Sequence, residues 1–331
     1  RREIRAPAAA TSGGGGLMRR LFARFGPETV AVLLLAIAFG LSAAREQRFL
    51  DAAYLFDRST LVMETGLLAL ALTFVIVAGH IDLSCTAILA LVAAVATALH
   101  HKAGVPIGVV ALLAPVLGGL LGWVNGALVS RARLPSLVVT LATMALFRGI
   151  AQILLGDHSL SVPPAVQGIE KLTIPRTYFH LPLLIFVVSA VGFALVLHRT
   201  VFGRWTTAIG VNPEAARHAG IPVGRMVERL FVLSGVTAGV GAVLLVSRLG
   251  VARFDHARGL ELDAITAVVL GGTSIFGGRG TVFGTVTALC LISVVQTGMG
   301  VAGVKTEMQI AAIGALLLGA ILVSNLASRR R

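Results

Sequence analysis

Charge is scarce in this chain of 331 residues: only 13% of positions are Asp, Glu, Lys or Arg, and just 15 residues are acidic. A soluble protein of this length needs about twice that fraction to cover its surface. Two cysteines, Cys85 and Cys290, both in apolar surroundings, have neither metal-ligand nor disulfide spacing and read as small buried hydrophobes. Aromatics are few at 6%, and the basic residues are not interleaved with them in one patch, which argues against nucleic acid as a partner despite a net charge of +13. No His-Glu-x-x-His pair and no Gly-x-Ser-x-Gly turn is present, so hydrolytic machinery is missing. The glycine-rich run Gly271-Gly272-Thr273-Ser274-Ile275-Phe276-Gly277-Gly278-Arg279-Gly280 lacks the Lys-Ser/Thr of a phosphate loop. His80, His100, His101 and His218 have no ligand-like neighbours. These absences predict no catalytic residues, no metal site and no cofactor in this chain.

What is abundant is apolar surface, with 56% hydrophobic residues and a mean hydropathy of +0.90. Such a chain has lipid as its solvent. Apolar runs measured against a span of about 20 residues fall at 28–44, 61–79, 85–99, 105–129, 135–155, 181–198, 230–249, 260–275, 281–302 and 307–326. The expected fold is an all-α polytopic transmembrane helical bundle of about ten membrane segments. The third and eighth are short, so each is expected to be a broken or re-entrant helix, tolerated only where protein or a cavity covers its backbone. Residues 1–27 read as a disordered basic tail with Met18 as a candidate start, 28–326 as one transmembrane domain, and 327–331 as a basic tail. Val30 to Ala44 resembles a signal-peptide core, but the many spans after it favour a retained anchor. The loop 156–180, with Pro163, Pro164 and Pro175, is long enough for a lid and too short for a domain.

Placing both termini in the cytoplasm puts 17 Lys and Arg residues inside and ten outside, with Arg148 within a span. That bias sets the predicted orientation. Within the spans, glycine stripes at Gly118-Gly119-x-x-Gly122, Gly235-x3-Gly239-x-Gly241 and Gly314-x4-Gly319 predict close helix packing, because small residues let helices approach where lipid gives no hydrophobic drive. Trp123 and Trp205 read as packing or interface anchors.

The longest polar stretch, Arg199 to Arg229, holds a short helix with clear ends. Asn212 suits an N-cap, Pro213 the first turn, Glu214 the positive end of the dipole, and Gly220 the stop. Ala215 and Ala216 leave its surface open to close approach. At about two turns it is too short to stand alone in water, so it must dock. One alternative is a helix lying on the membrane interface with Arg204, Arg217, Arg225 and Arg229 facing lipid phosphates. A second polar break, Gly79-His80-Ile81-Asp82-Leu83-Ser84, separates two apolar runs. Asp82 or Ser84 can cap the helix that follows, and the break can act as a hinge or gate.

Other polar residues in or near the spans are candidates to line a path: Asn125, Thr140, Thr143, Arg148, Gln152, Thr273, Ser274 and Gln296. Arg148 is the costliest, since a mid-span Arg is unfavourable by about 2.5–3.5 kcal/mol, and it must face protein, water or the interface. Glu261 and Asp263 open the eighth segment. Their simplest role is to complement the dipole in its first turn; the sharper expectation is that one of them pairs with Arg148 beside an entrance.

Four motifs in order then carry a resemblance: Gly-x-Ile-Asp-Leu-Ser at 79–84, Leu134-Pro135-Ser136 running to Thr143, Phe202-Gly203-Arg204 leading to Gly210-x-Asn212-Pro213-Glu214-Ala215-Ala216, and Glu261-Leu262-Asp263 through Gly271-Gly272-Thr273-Ser274. From about residue 60 to the C-terminus the chain resembles the permeases of ribose, xylose, rhamnose and related monosaccharide ABC importers. It departs from that family's pattern at His80 and at Cys85-Thr86, where small residues are usual. The resemblance implies a multi-pass protein of the bacterial inner membrane with no enzymatic activity of its own. Its implied partners are an ATP-binding subunit that hydrolyses ATP, a second permease, identical or a sister chain, and a periplasmic sugar-binding protein. Asn212, Pro213, Glu214, Ala215, Ala216 and Gly220 would form the coupling helix. The Thr273–Gly278 stretch is closest to a rhamnose-type importer, with an autoinducer-2-type importer next. The rival expectation is a secondary transporter driven by an ion gradient, for which mid-span ionisable residues other than Arg148 are few.

Overall fold

The computed structural model of the protein describes residues 27–164, 166–169, 172–173 and 179–328. The expected tail before residue 27 lies outside them. Thirteen α-helices account for almost all of the described chain: α1 (Pro27–Arg45), α2 (Ala52–Ser59), α3 (Met63–Val77), α4 (Cys85–Ala103), α5 (Ile107–Ser130), α6 (Ser136–Leu155), α7 (Leu181–Arg199), α8 (Val201–Val211), α9 (Pro213–His218), α10 (Val223–Leu249), α11 (Leu260–Leu270), α12 (Val282–Val301) and α13 (Thr306–Ser328). The all-α membrane bundle is borne out. Among the described residues, seven apolar stretches are long enough to cross a bilayer, α2 and α3 counting as one through a 3-10 turn.

Several boundaries move. The third segment is not short, because α4 runs 19 residues, and His100, His101 and Lys102 in its last turn suit the negative end of the dipole. Gly104, at φ +65, closes it. The seventh begins at Val223 rather than at residue 230. Val223, Met226, Val227 and Leu230 are buried on one helical face, while Arg225 and Arg229 on the other are exposed. The eighth is indeed short: α11 has 11 residues, roughly 16 Å at 1.5 Å per residue, about half a bilayer.

Helix α3 is the axis of the bundle, with every residue from Met63 to Val77 buried. A helix enclosed on all sides has no need of a polar face, which is why its sequence shows no helical period. Glu64 near its start is held by Arg248 of α10, Nε to Oε1 at 2.9 Å; this ion pair was not foreseen. The tightest helix pair is α5 with α10. A methyl on Gly118 would overlap the Gly235 carbonyl, one on Gly122 the Phe231 carbonyl and one on Gly239 the Ala114 carbonyl. Two of the three glycine stripes therefore pack as expected. The third does not, since Gly314 and Gly319 have open space around them within the described residues.

Candidate functional site

Two ends of the bundle can be told apart. One carries α8 and α9. The other carries a two-stranded ribbon pairing Leu160–Ser161 with Val251–Ala252.

At the first end the stretch 199–229 folds as three helical pieces rather than one. Thr200 caps α8, and Asn212 caps α9 with Oδ1 accepting from the Glu214 and Ala215 N–H groups, both at 3.0 Å. Pro213 opens α9. Gly220, at φ +81, ends it: the Gly220 N–H donates to Arg217 O at 2.9 Å and the Ile221 N–H to Ala216 O at 3.0 Å. This is the paired bonding of a left-handed C-terminal cap. With six residues α9 is shorter than expected. Only Ala216 is buried, while Glu214, Ala215, Arg217 and His218 are exposed, and Glu214 pairs with Arg217 at 2.6 Å.

This knob is fixed to the axial helix by backbone. A methyl on Gly210 would overlap both the Val77 carbonyl and the Gly278 N–H, and that N–H itself donates to Val77 O at 2.8 Å. Gly79 and Gly277, at φ +82 and +85, lie against each other in the same knot, so α8, which leads into α9, is held against the segment after α3.

That segment, 78–84, runs back into the bundle. The Ile81 N–H donates to Ser136 Oγ at 3.2 Å, and Thr140 Oγ1 donates to Ile81 O at 3.3 Å as well as to Ser136 O at 2.9 Å. Asp82 is fully buried, and its carboxylate accepts from the Ser84 N–H at 2.9 Å, Ser84 Oγ at 2.6 Å and Ser234 Oγ at 2.7 Å. Asn125 Nδ2 donates to Ser84 Oγ at 2.7 Å. Ser84 is the N-cap residue of α4 but makes no side-chain capping bond; its hydroxyl goes to Asp82, which also accepts the Ser84 N–H just ahead of the helix.

Helix α4 therefore starts among buried residues, where the short helix α11 meets it. Glu261, at the start of α11, accepts from Thr86 Oγ1 at 2.7 Å and from the Gly259 N–H. Arg148 Nη2 donates to the same Thr86 Oγ1 at 3.2 Å, and Nη1 reaches the carbonyls of Phe254 and His256 at 3.3 and 3.2 Å. Arg148 lies about 18 Å from the start of α6 and about 10 Å from its end. The expected pairing with Glu261 or Asp263 is corrected: no direct ion pair joins them among the described residues, and the Thr86 hydroxyl stands between Arg148 and Glu261. Glu261 does fill the first-turn role, bonding the N–H at the helix start. Nearby, Arg253 beside Asp255, Nε to Oδ1 at 2.8 Å, holds that carboxyl below the usual carboxylate range.

This geometry, with interrupted helices meeting inside a bundle and a knob at one end, is found here in a chain that a family model matches over residues 54–322: the branched-chain amino acid transport system permease component family. The chain belongs to that family. It is 35% identical over 316 residues to the autoinducer 2 import system permease protein LsrD of Escherichia coli strain K12, covering 93% of this chain and 94% of that one. The same figures hold for the LsrD protein of Shigella flexneri. No solved structure matches.

Within the permease, the candidate path residues fall into separate groups rather than one lining. Asp82, Ser84 and Asn125 form the buried network; Arg148 and Glu261 meet at Thr86. Thr143 is buried but bonds its own helix at Val139 O, 3.0 Å. Gln152 is exposed and bonds Asp157 at 3.1 Å. Asp263 and Gln296 are half-buried on α11 and α12. Thr273 and Ser274 lie at the α9 end, beside Gly280 and the end of α3, with Thr273 Oγ1 buried and without a hydrogen-bond partner among the described residues. Sequence reasoning missed Ser234 and, although it noted Thr86 as a departure, missed the bonds Thr86 makes. Each is a lone hydroxyl beside a feature already singled out, the 79–84 break and the Gly235 stripe, and that adjacency was the available signal.

Proposed function

We propose that this permease is the membrane-spanning subunit of an ATP-driven importer that carries a small sugar across the bacterial inner membrane. Both termini and α9 face the cytoplasm, in keeping with the Lys and Arg distribution. A separate ATP-binding subunit docks on α9, a second permease completes the pore, and a periplasmic binding protein delivers the solute. The observation that carries the proposal is α9 itself: a capped six-residue helix exposed everywhere but Ala216 and joined through Gly210 to the end of α3. An element so short, held so rigidly and left so bare is suited to transmitting force from a partner. Closure of the ATP-binding subunits pushes α9, and the glycine knot moves the 78–84 segment and the start of α4. The Arg148–Thr86–Glu261 junction then parts or closes between α4, α6 and α11.

For the cargo we favour a monosaccharide of the rhamnose type, from the Thr273–Gly278 stretch. Autoinducer 2 is the second reading, favoured by the names of the relatives. Reconstitution with and without the cognate ATP-binding subunit tests the energy source, and uptake by the chain alone would sink the proposal in favour of an ion-gradient carrier. Thermal stabilisation of the cognate binding protein by a panel of monosaccharides and autoinducer 2 tests the cargo. Stabilisation by none of the monosaccharides defeats the sugar assignment.

A further inference from the structure

Between the end of α5 and the start of α10 lies a groove of about 520 Å³ lined by Trp123, Ser130, Arg131, Arg225, Glu228 and Arg229, among others. Three of these are arginines, and one is already spent. Arg131 forms a two-pronged pair with Glu228, Nε to Oε1 at 2.7 Å and Nη2 to Oε2 at 3.1 Å, and its guanidinium lies 5.6 Å from the centre of the Trp123 ring. Arg225 and Arg229 are exposed and have no partner among the described residues. The position of Arg225 is electrostatically unfavourable: it is in the first turn of the 27-residue α10, where the helix dipole is positive and an anion, not a cation, is stabilised, and Arg229 adds a second cation one turn on. Two unpaired cations at that end leave the groove with a charge deficit that an anion would relieve.

The other wall says what carries the anion. Leu120, Trp123, Val124 and Leu128 of α5 are exposed at 57, 43, 39 and 37%, so the groove opens directly onto an apolar face, with an indole at the boundary. A soluble acidic partner would satisfy the arginines and leave that face bare. A phospholipid satisfies both, its phosphate among the arginines and its acyl chains along α5. We propose that this groove is a binding site for an anionic phospholipid, independent of which solute the permease carries.

The chain has only two tryptophans, so W205F leaves Trp123 as the sole indole reporter. Full-length W205F protein in detergent is titrated with phosphatidylglycerol or phosphatidylcholine brominated near the glycerol end of the chains. Two arginines near a headgroup predict a preference for the anionic lipid on the order of tenfold in apparent affinity, falling with added salt. In W205F carrying R225Q and R229Q the preference should vanish. R225K/R229K, which keeps the charge, should retain part of it and guards against a folding defect in the first variant. Equal quenching by the two lipids, or a preference that survives the glutamine pair, overturns the proposal. Full displacement of the lipid by inorganic phosphate overturns it too, by making the groove a free-phosphate site. Loss of the quenching on assembly with an ATP-binding subunit also overturns it, since the arginines would then face protein.

Discussion

No side-chain carbon fits between Gly210 and the carbonyl of Val77. A methyl on Gly210 would overlap that oxygen and also the Gly278 N–H that donates to it. All three groups are backbone, so none can swing aside as a flexible side chain would. Gly210→Ala should therefore force α8 away from the end of α3, at a cost of about 1–3 kcal/mol for an overpacked contact. The expected result is a lower melting temperature of the purified chain together with lost uptake. A wild-type melt and wild-type uptake would show that the two helices are not held this closely.

A different outcome is expected one turn further on. Asn212→Ala removes the acceptor for two N–H groups at the start of α9, worth about 0.5–2 kcal/mol of local helix stability. Gly220→Ala forces a left-handed conformation on a residue with a side chain, at about 1–2 kcal/mol. Both changes lie at the exposed rim, so membrane insertion and the bundle melt should stay near wild type. Transport-coupled ATP hydrolysis in the reconstituted importer should fall, and further when Glu214→Gln is added. Full coupling in the combined variant would remove α9 from the mechanism.

These two sites differ in how they could be read from sequence. Caps are local, so Asn212, Pro213 and Gly220 announce α9 within a few residues. The Gly210 contact joins residues far apart in the chain, and nothing local marks it. The spans were legible because enclosed helices such as α3 are apolar throughout. The start of α10 was not, because Arg225 and Arg229 mask the buried stripe Val223, Met226, Val227 and Leu230 on its other face. Arg148 and Glu261 were recognisable as residues needing partners. The hydroxyl that joins them was not recognisable as a partner: Thr86 stands out in the sequence only as a departure from small residues, and its bonds appear when tertiary packing brings α4, α6 and α11 together.

That hydroxyl can be removed with little change of shape. Thr86→Val deletes the shared partner of Arg148 and Glu261 while keeping a side chain of similar volume. Each charged group then loses one charge-assisted hydrogen bond, worth about 1.5–3 kcal/mol. Thr86→Ser keeps the oxygen and should behave as wild type. Uptake by the reconstituted importer should fall at least several-fold in the valine variant and recover in the serine variant. If valine and serine transport alike, the junction is packing and nothing more.

Asp82 separates the motor-driven reading from its ion-gradient rival. Its carboxylate accepts from the Ser84 backbone and hydroxyl on one oxygen and from Ser234 on the other. If those hydrogen bonds are what matter, Asp82→Asn is a mild change. The amide oxygen can face Ser84, which has an N–H that must be accepted, and the amide nitrogen can face Ser234, whose hydroxyl can turn to accept. Asp82→Ala has no such escape and leaves buried donors unpaired at about 1–3 kcal/mol each. The expected order in both melting temperature and uptake is wild type, then asparagine slightly below, then alanine far below. An asparagine variant that melts near wild type yet transports no better than alanine would mean that the negative charge itself is needed. Coupling to a cation gradient would then become the better account of this permease.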